Sequence, residues 1–242
     1  MIQHITYAND LMSKSAELCV NSAIEHGKCD DSIVLSDNGW DGSGLFNICQ
    51  KTLKEERGAG YWLWKPIIIA EQMSLLEDGD YLVYTDAGVE FVNSIHHIID
   101  KMDQDVFLFG NMYPHIEWCK SEVFHLFGIY NPMHHWKMRQ VQASAMVIRV
   151  SNQSREIIRE WLAYCMIPGM IDDSTYLLNQ HSGFKEHRHD QAILTMVADR
   201  YRLDLHWWPA CYNHGAFIYE KEPYKDDYPV IFHHHRKRNI EW

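Results

Sequence analysis

The chemistry in this sequence sits in four short stretches. Tyr84-Thr85-Asp86-Ala87-Gly88 closes an apolar run. It sets a carboxylate at a strand end, and the two small residues behind it leave room for close approach. A hard cation such as Mn²⁺ or Mg²⁺ takes oxygen ligands and shares them with substrate phosphates, so one Asp suffices where a diphosphate supplies the rest. The plain alternative is a turn Asp closing a strand. His233-His234-His235-Arg236-Lys237-Arg238-Asn239 combines imidazoles, which bind Mn²⁺ or Zn²⁺, with cations that grip phosphate oxygens. Strand alternation sends His233 and His235 to one face and His234 to the other. A solvated basic tail is the competing explanation.

The third stretch is Arg57-Gly58-Ala59-Gly60-Tyr61-Trp62-Leu63-Trp64-Lys65-Pro66. Glycines ahead of a helix let the backbone come close to a ligand, and a helix N-terminus favours anions. Arg57 and Lys65 are within reach of a phosphate or a sugar, while Trp62 and Trp64 read as core aromatics. The stretch is neither a GxGxxG dinucleotide loop nor a Walker loop. The fourth, Glu186-His187-Arg188-His189-Asp190-Gln191, opens a helix. Asp190 is either a first-turn acid that favours the helix start or a carboxylate for a hydroxyl-rich acceptor, including as general base. No GxSxG elbow or HExxH helix is present.

The elements that must hold these groups alternate between strands and helices. Strands are expected at Ile2 to Ala8, Ser32 to Ser36, Asp80 to Tyr84, Asp105 to Gly110, Ala145 to Val150 and Tyr228 to Phe232. Helices are expected at Leu11 to His26, Leu45 to Glu55, Pro66 to Leu76, Gln153 to Cys165 and Asp190 to Tyr201. This order predicts an α/β sheet with helices on both faces, and ligands just beyond the strand ends. Asn9, Asp37, Asp86 and the histidine run lie there. Loops rich in Trp, His and Tyr fill residues 111–142 and 206–227; Trp118, Trp136, Trp207 and Trp208 offer rings either to sugar faces or to the core.

The 242 residues are 46% hydrophobic, enough for a packed core. With 22 basic and 33 acidic residues the net charge is −11, which argues against nucleic acid and leaves room for a small anionic substrate at a local basic cluster. Six scattered cysteines without a CxxC pair read as reduced thiols. No leader and no apolar run of about 18 residues is visible, so a cytoplasmic protein is expected, with a place open at the periphery of a membrane-bound acceptor.

Taken in order, these stretches resemble glycosyltransferases of the GT-A type. Ile5-Thr6-Tyr7-Ala8-Asn9-Asp10 is similar to the first strand and nucleotide loop of that family. Arg57 to Pro66 resembles a signature of enzymes that build bacterial and viral polysaccharides. Tyr84 to Gly88 looks like a reduced DxD metal motif. His187 to Gln191 and the final basic run resemble the acceptor-side helix start and the segment that closes over a nucleotide diphosphate.

The resemblance implies one Rossmann-like α/β domain over residues 1–242, a mixed central sheet flanked by helices. Residues 1–110 would bind the nucleotide sugar, and 111–242 the acceptor with a C-terminal closing segment. It implies hexosyl or pentosyl transfer from a nucleotide diphosphate sugar, usually a UDP-sugar, to a glycan or other hydroxyl acceptor, assisted by Mn²⁺ or Mg²⁺. By the same resemblance Thr6, Tyr7, Asn9, Asp37, Arg57, Lys65, Tyr84, Thr85, Arg236 and Lys237 contact the donor. Asp86, with His233 or His235, holds the metal, and Asp190 joins Asp86 as a catalytic carboxylate. The chain departs from the family where Tyr84 replaces the first acid of DxD. Two other readings stand beside this one, a non-catalytic carbohydrate-binding protein and a metal-dependent phosphoesterase.

Overall fold

The computed structural model describes residues 1–36, 44–175, 177–212, 224 and 226–241. Its centre is a six-stranded mixed sheet. In chain order the strands are β1 (Ile2–Tyr7), β2 (Asp31–Leu35), β3 (Tyr81–Thr85), β5 (Val106–Pro114), β6 (Arg139–Arg149) and β7 (Leu205–Trp207), arranged β2-β1-β3-β6-β5-β7. β1 runs parallel to β2 and β3, and β5 parallel to β7, whereas β6 is antiparallel to both its neighbours, β3 and β5. A second sheet of β4 (Val89–Phe91), β8 (Ala210–Tyr212) and β9 (Phe232–His234) has the order β4-β9-β8.

Side-chain alternation divides the core between the two faces of the large sheet. Leu82, Tyr84, Leu108, Met146 and Ile148 meet one apolar cluster. That cluster is completed by the helices α4 (Trp64–Met73), α7 (Asn152–Met166) and α8 (His189–Tyr201). Val83, Phe107, Phe109, Ala145 and Val147 meet the other cluster, where Phe91, Trp208 and Phe232 of the small sheet and its flank pack. The helix α1 (Ser13–Glu25) packs against β1, β2 and β4. The other α-helical segments among the described residues are α2 (Gly44–Leu53), the single turn α3 (Gly58–Tyr61), α5 (His96–Ile99) and α6 (Ser121–Leu126).

Most expected elements appear within a few residues of their bounds. The late strand moves: pairing begins at Phe232, where the sequence led us to expect it to end, because β9 forms against β4 and β8 rather than in the large sheet. β6 starts at Arg139, well before Ala145, and α4 starts two residues ahead of Pro66. Trp207 and Trp208 are core residues, while Trp136 is exposed. Five cysteines are buried, Cys211 is partly exposed, and no disulfide forms among the described residues.

The turn α3 is unusual. Gly58, Ala59, Gly60, Tyr61 and Trp62 all have positive φ, from 51 to 95°. A left-handed residue other than glycine costs about 1–2 kcal/mol, so Ala59, Tyr61 and Trp62 are held there by their surroundings. A Cβ on Gly58 would come within 2.4 Å of the Trp62 ring, and one on Gly60 within 2.5 Å of the Leu53 backbone.

Candidate functional site

The end of β3 carries the central group. Tyr84 and Asp86 are two apart and share a side of the strand, and the buried Tyr84 hydroxyl donates to Asp86 Oδ1 at 2.5 Å. Thr85 points the opposite way, with its Oγ1 2.8 Å from His4 Nε2 and 3.2 Å from Cys19 Sγ. The Asp86 amide donates to the Ser144 carbonyl, which ties the strand end to β6. Gly88 is small for a reason of space: a Cβ there would lie 2.9 Å from Arg236 Cα.

Lys65, on the first turn of α4, is almost wholly buried. Its ammonium lies 3.3 Å from Asp86 Oδ1 and 3.2 Å from Asp190 Oδ2, and donates to the Ala143 carbonyl at 3.0 Å. One cation therefore sits between two carboxylates, one just past the end of β3 and one in the first turn of α8. Burial works against the charge on Lys65, and Asp190 and Asp86 outweigh it, so its pKa is raised. Burial also works to raise Asp86, but Lys65 and the Tyr84 hydroxyl outweigh it and hold Asp86 below the usual carboxylate range. Asp190 is pushed up to about 6 because burial prevails there; Lys65 opposes the shift and the charge on Asp86 adds to it. The pair thus holds one firmly ionised carboxylate and one that titrates near neutrality.

α8 is aimed by its own first turn. Gln191 accepts from the Ala143 amide and donates to Gln140 Oε1, which locks the helix to β6. His189, at φ 48°, stacks on Tyr61 with centroids 5.3 Å apart and lies 5.1 Å from the Trp62 ring. Its Nε2 is 3.1 Å from Asp173 Oδ1.

Two cavities meet at this group. The first, of about 470 Å³, runs from Tyr7, Ala8 and Asn9 past Gly58, Ala59 and Trp64 to His234, Arg236 and Arg238. The second, of about 310 Å³, is lined by Lys65, Asn111, Tyr113, Gln140, Gln142, Arg188, Asp190 and Gln191. Trp62, Asp86, Ser144 and Arg236 line both.

The residues expected from sequence fall into three groups. Asp86, Tyr7, Asn9, Arg236, Lys65 and Asp190 line one cavity or the other. Tyr7 packs on Trp64 with centroids 4.2 Å apart, and Asn9 caps the following turn through the Leu11 amide. Thr6, Tyr84 and Thr85 are fully buried beneath the site and line neither cavity, so their expected direct contact with a donor gives way to a supporting place. Arg57, His233, His235 and Lys237 lie elsewhere. Arg57 is drawn off by ion pairs to Asp173 and Glu186. His233 Nδ1 meets Glu90 Oε2 at 3.0 Å, and its ring lies 6.0 Å from that of His235. The Lys237 carbonyl accepts from Ser15, which fastens the segment to α1. Asp37 lies outside the described residues.

His234 takes the place expected of its neighbours. It lines the first cavity with Asp86 and its Nε2 accepts from Arg236 Nε at 3.2 Å. Its Nδ1 is buried with no hydrogen-bond partner. Alternation separates His234 from His233 and His235; which face meets the cavity is decided by the pairing of β9 with β4. Arg238 and Arg188 lie in stretches the sequence singled out but were given no role there, whereas Ser144 and the amide side chains of Asn111, Gln140 and Gln142 belong to no recognisable motif.

No family model matches the sequence, and no curated protein matches it. Solved structures do match in shape. Mouse xyloside xylosyltransferase 1 is 12% identical, with 97% of each chain covered and a TM-score of 0.52. The bifunctional glycosyltransferase WbbM is 13% identical over 87% of this chain and 40% of its own, with a TM-score of 0.53. At such identities the likeness is one of fold, and the chain has the GT-A-like α/β architecture of these glycosyltransferases.

Proposed function

We propose that this protein transfers a sugar from a nucleotide diphosphate sugar to a hydroxyl of a glycan or similar acceptor. The observation that supports this reading is the junction of two cavities at Asp86, with Lys65 joining that carboxylate to Asp190. The fold of two glycosyltransferases agrees with it. The donor occupies the first cavity, its nucleoside toward Tyr7 and Asn9 and its diphosphate toward Arg236 and Arg238. The acceptor occupies the second, among the amides of Asn111, Gln140 and Gln142.

In the reaction the acceptor oxygen bonds to the anomeric carbon while the bond from that carbon to the phosphate oxygen breaks. The nucleoside diphosphate leaves with the electron pair, and Arg236 and Arg238 stabilise its charge. Asp190, with a pKa of about 6, takes the acceptor proton. Lys65 keeps both carboxylates in place. Holding the substrates at one junction supplies orientation, and Trp62 there shields the bond from water.

Among the described residues no three His, Cys, Asp or Glu side chains converge. Asp86 and His234 nevertheless fit a cation that shares a diphosphate, since His234 Nδ1 is buried and unpartnered. They would hold Mn²⁺ or Mg²⁺, which supplies positive charge against the leaving diphosphate. UDP is the nucleotide to try first, on the resemblance alone.

Thermal melting with UDP, GDP, CDP and ADP, each with and without Mn²⁺, tests the reading. One diphosphate should raise the melting temperature, and Asp86→Asn should lose that shift and the transfer while remaining folded. Glycan binding with no response to any diphosphate would favour a carbohydrate-binding protein. Phosphate release from simple esters without an acceptor would favour a phosphoesterase.

A further inference from the structure

We infer that the face built from the far end of β5 and the loop before β6 docks on an anionic membrane surface. Two independent features of this face support the inference. The first is exposed apolar and aromatic area: Tyr130 is 75% exposed, Trp136 60%, Tyr113 50% and Met133 46%. Trp and Tyr favour the headgroup level of a bilayer, where one edge of the ring is apolar and the other wet. The second is charge. The chain carries −11 overall, yet no Asp or Glu occurs between Glu122 and Glu156 or between Asp105 and Glu117. Lys137 and Arg139 have no carboxylate partner among the described residues. Lys137 lies 5.3 Å from the Trp136 ring, and Arg139 donates only to the Met112 carbonyl among the described contacts.

The acids nearest in sequence are already engaged. Glu117 pairs with Lys185 at 2.7 Å, and buried Glu122 accepts from the Leu178 amide and Gln180. The excess of acid lies outside this face, so an anionic plane favours it over the acidic remainder of the surface, charge biasing the orientation while the rings provide contact. The loop is also shaped in advance. Met138 accepts from the His115 amide and donates to His135, which ties the segment to the end of β5. A glycan platform needs rings but not methionine or unpaired cations, so a lipid surface is the better match. If the second cavity takes the acceptor as proposed, Tyr113, which belongs to both the cavity and this face, places a membrane-anchored acceptor at its mouth.

Co-sedimentation of the full chain with vesicles tests the docking without any donor or acceptor, so it succeeds or fails independently of the transferase reading. The protein should bind vesicles of phosphatidylcholine and phosphatidylglycerol in equal parts, ignore phosphatidylcholine alone, and release as salt rises. The double variant Trp136→Ser, Lys137→Glu should bind about tenfold less or weaker still, since each cation near such a surface is worth about fivefold. Its thermal melting should be unchanged, and Leu75→Ser, at an isolated exposed site, should bind like the parent. Equal binding to both vesicle types, or undiminished binding by the double variant, would overturn the inference. So would a double variant that keeps vesicle binding but loses a soluble glycan, which would assign the face to carbohydrate.

Discussion

Lys65 shows how one side chain organises the site. Replacing it with Met leaves Asp86 and Asp190 without the cation between them. Removing one partner of a buried ion pair costs about 3–5 kcal/mol, so Lys65→Met should lower stability by that order in urea unfolding. Adding Asp190→Asn should cost less than the sum of the two single changes, because the second change removes a charge the first left unpaired. His115 makes the opposite case. It is fully buried, its ring nitrogens have no hydrogen-bond partners, and its ring lies 5.3 Å from Phe124. His115→Phe should stabilise the fold by about 1–2 kcal/mol, since an unsatisfied buried polar group costs that order; a lower urea midpoint would contradict this. At this scale the sequence was readable where a residue stands at the end of a strong strand, as Asp86 does. It misled where a cation had a choice of partners: Arg57 reads as a phosphate ligand, but Asp173 and Glu186, distant in sequence, claim it.

Among the elements, the left-handed turn α3 supplies a controlled comparison. Gly60 and Gly79 both have φ of 95°, but a Cβ on Gly60 meets the Leu53 backbone at 2.5 Å, whereas one on Gly79 meets nothing within 4 Å. Gly79→Ala should cost about 1–2 kcal/mol from conformation alone. Gly60→Ala should cost at least about 2 kcal/mol more, because the α2 backbone at Leu53 must shift; equal melting temperatures for the two would contradict this. The sequence announces the turn through its glycines but not its handedness, which is imposed by α2, by Trp62 lying over Gly58 and by His189 stacking from α8. In the same way the strand signal of β6 was visible only over its apolar half. Its polar start, Arg139 and Gln140, pairs with the end of β5 through long-range contacts that composition does not reveal.

For the whole molecule, the response to acid follows from buried histidines. Burial pushes His4, His115 and His234 each down to about 3. Below about pH 6.5 the unfolded imidazoles bind protons that the native rings refuse, so stability falls as pH drops from about 6.5 to about 3, each ring contributing about 1.4 kcal/mol per pH unit. Asp190 works in the other direction. Its native pKa of about 6 favours the folded state at low pH, and that contribution is lost as pH rises through about 6. Three groups outweigh one, so the urea midpoint should be clearly lower at about pH 4.5 than at about pH 7, and His115→Phe should flatten the slope by one proton. A midpoint independent of pH over that range would refute the assignment.

The small sheet also bears on when the molecule becomes competent. Asp86 belongs to the first half of the chain, but the first cavity is closed by His234 and Arg236, which reach it through pairing of β9 with β4. During synthesis His234 follows Asp86 by 148 positions, an interval of about 7–30 s at ordinary ribosomal rates. For that time β1, β2 and β3 can assemble while the cavity still lacks its last wall. A nascent chain therefore lacks a complete first cavity until the segment beyond residue 230 has emerged.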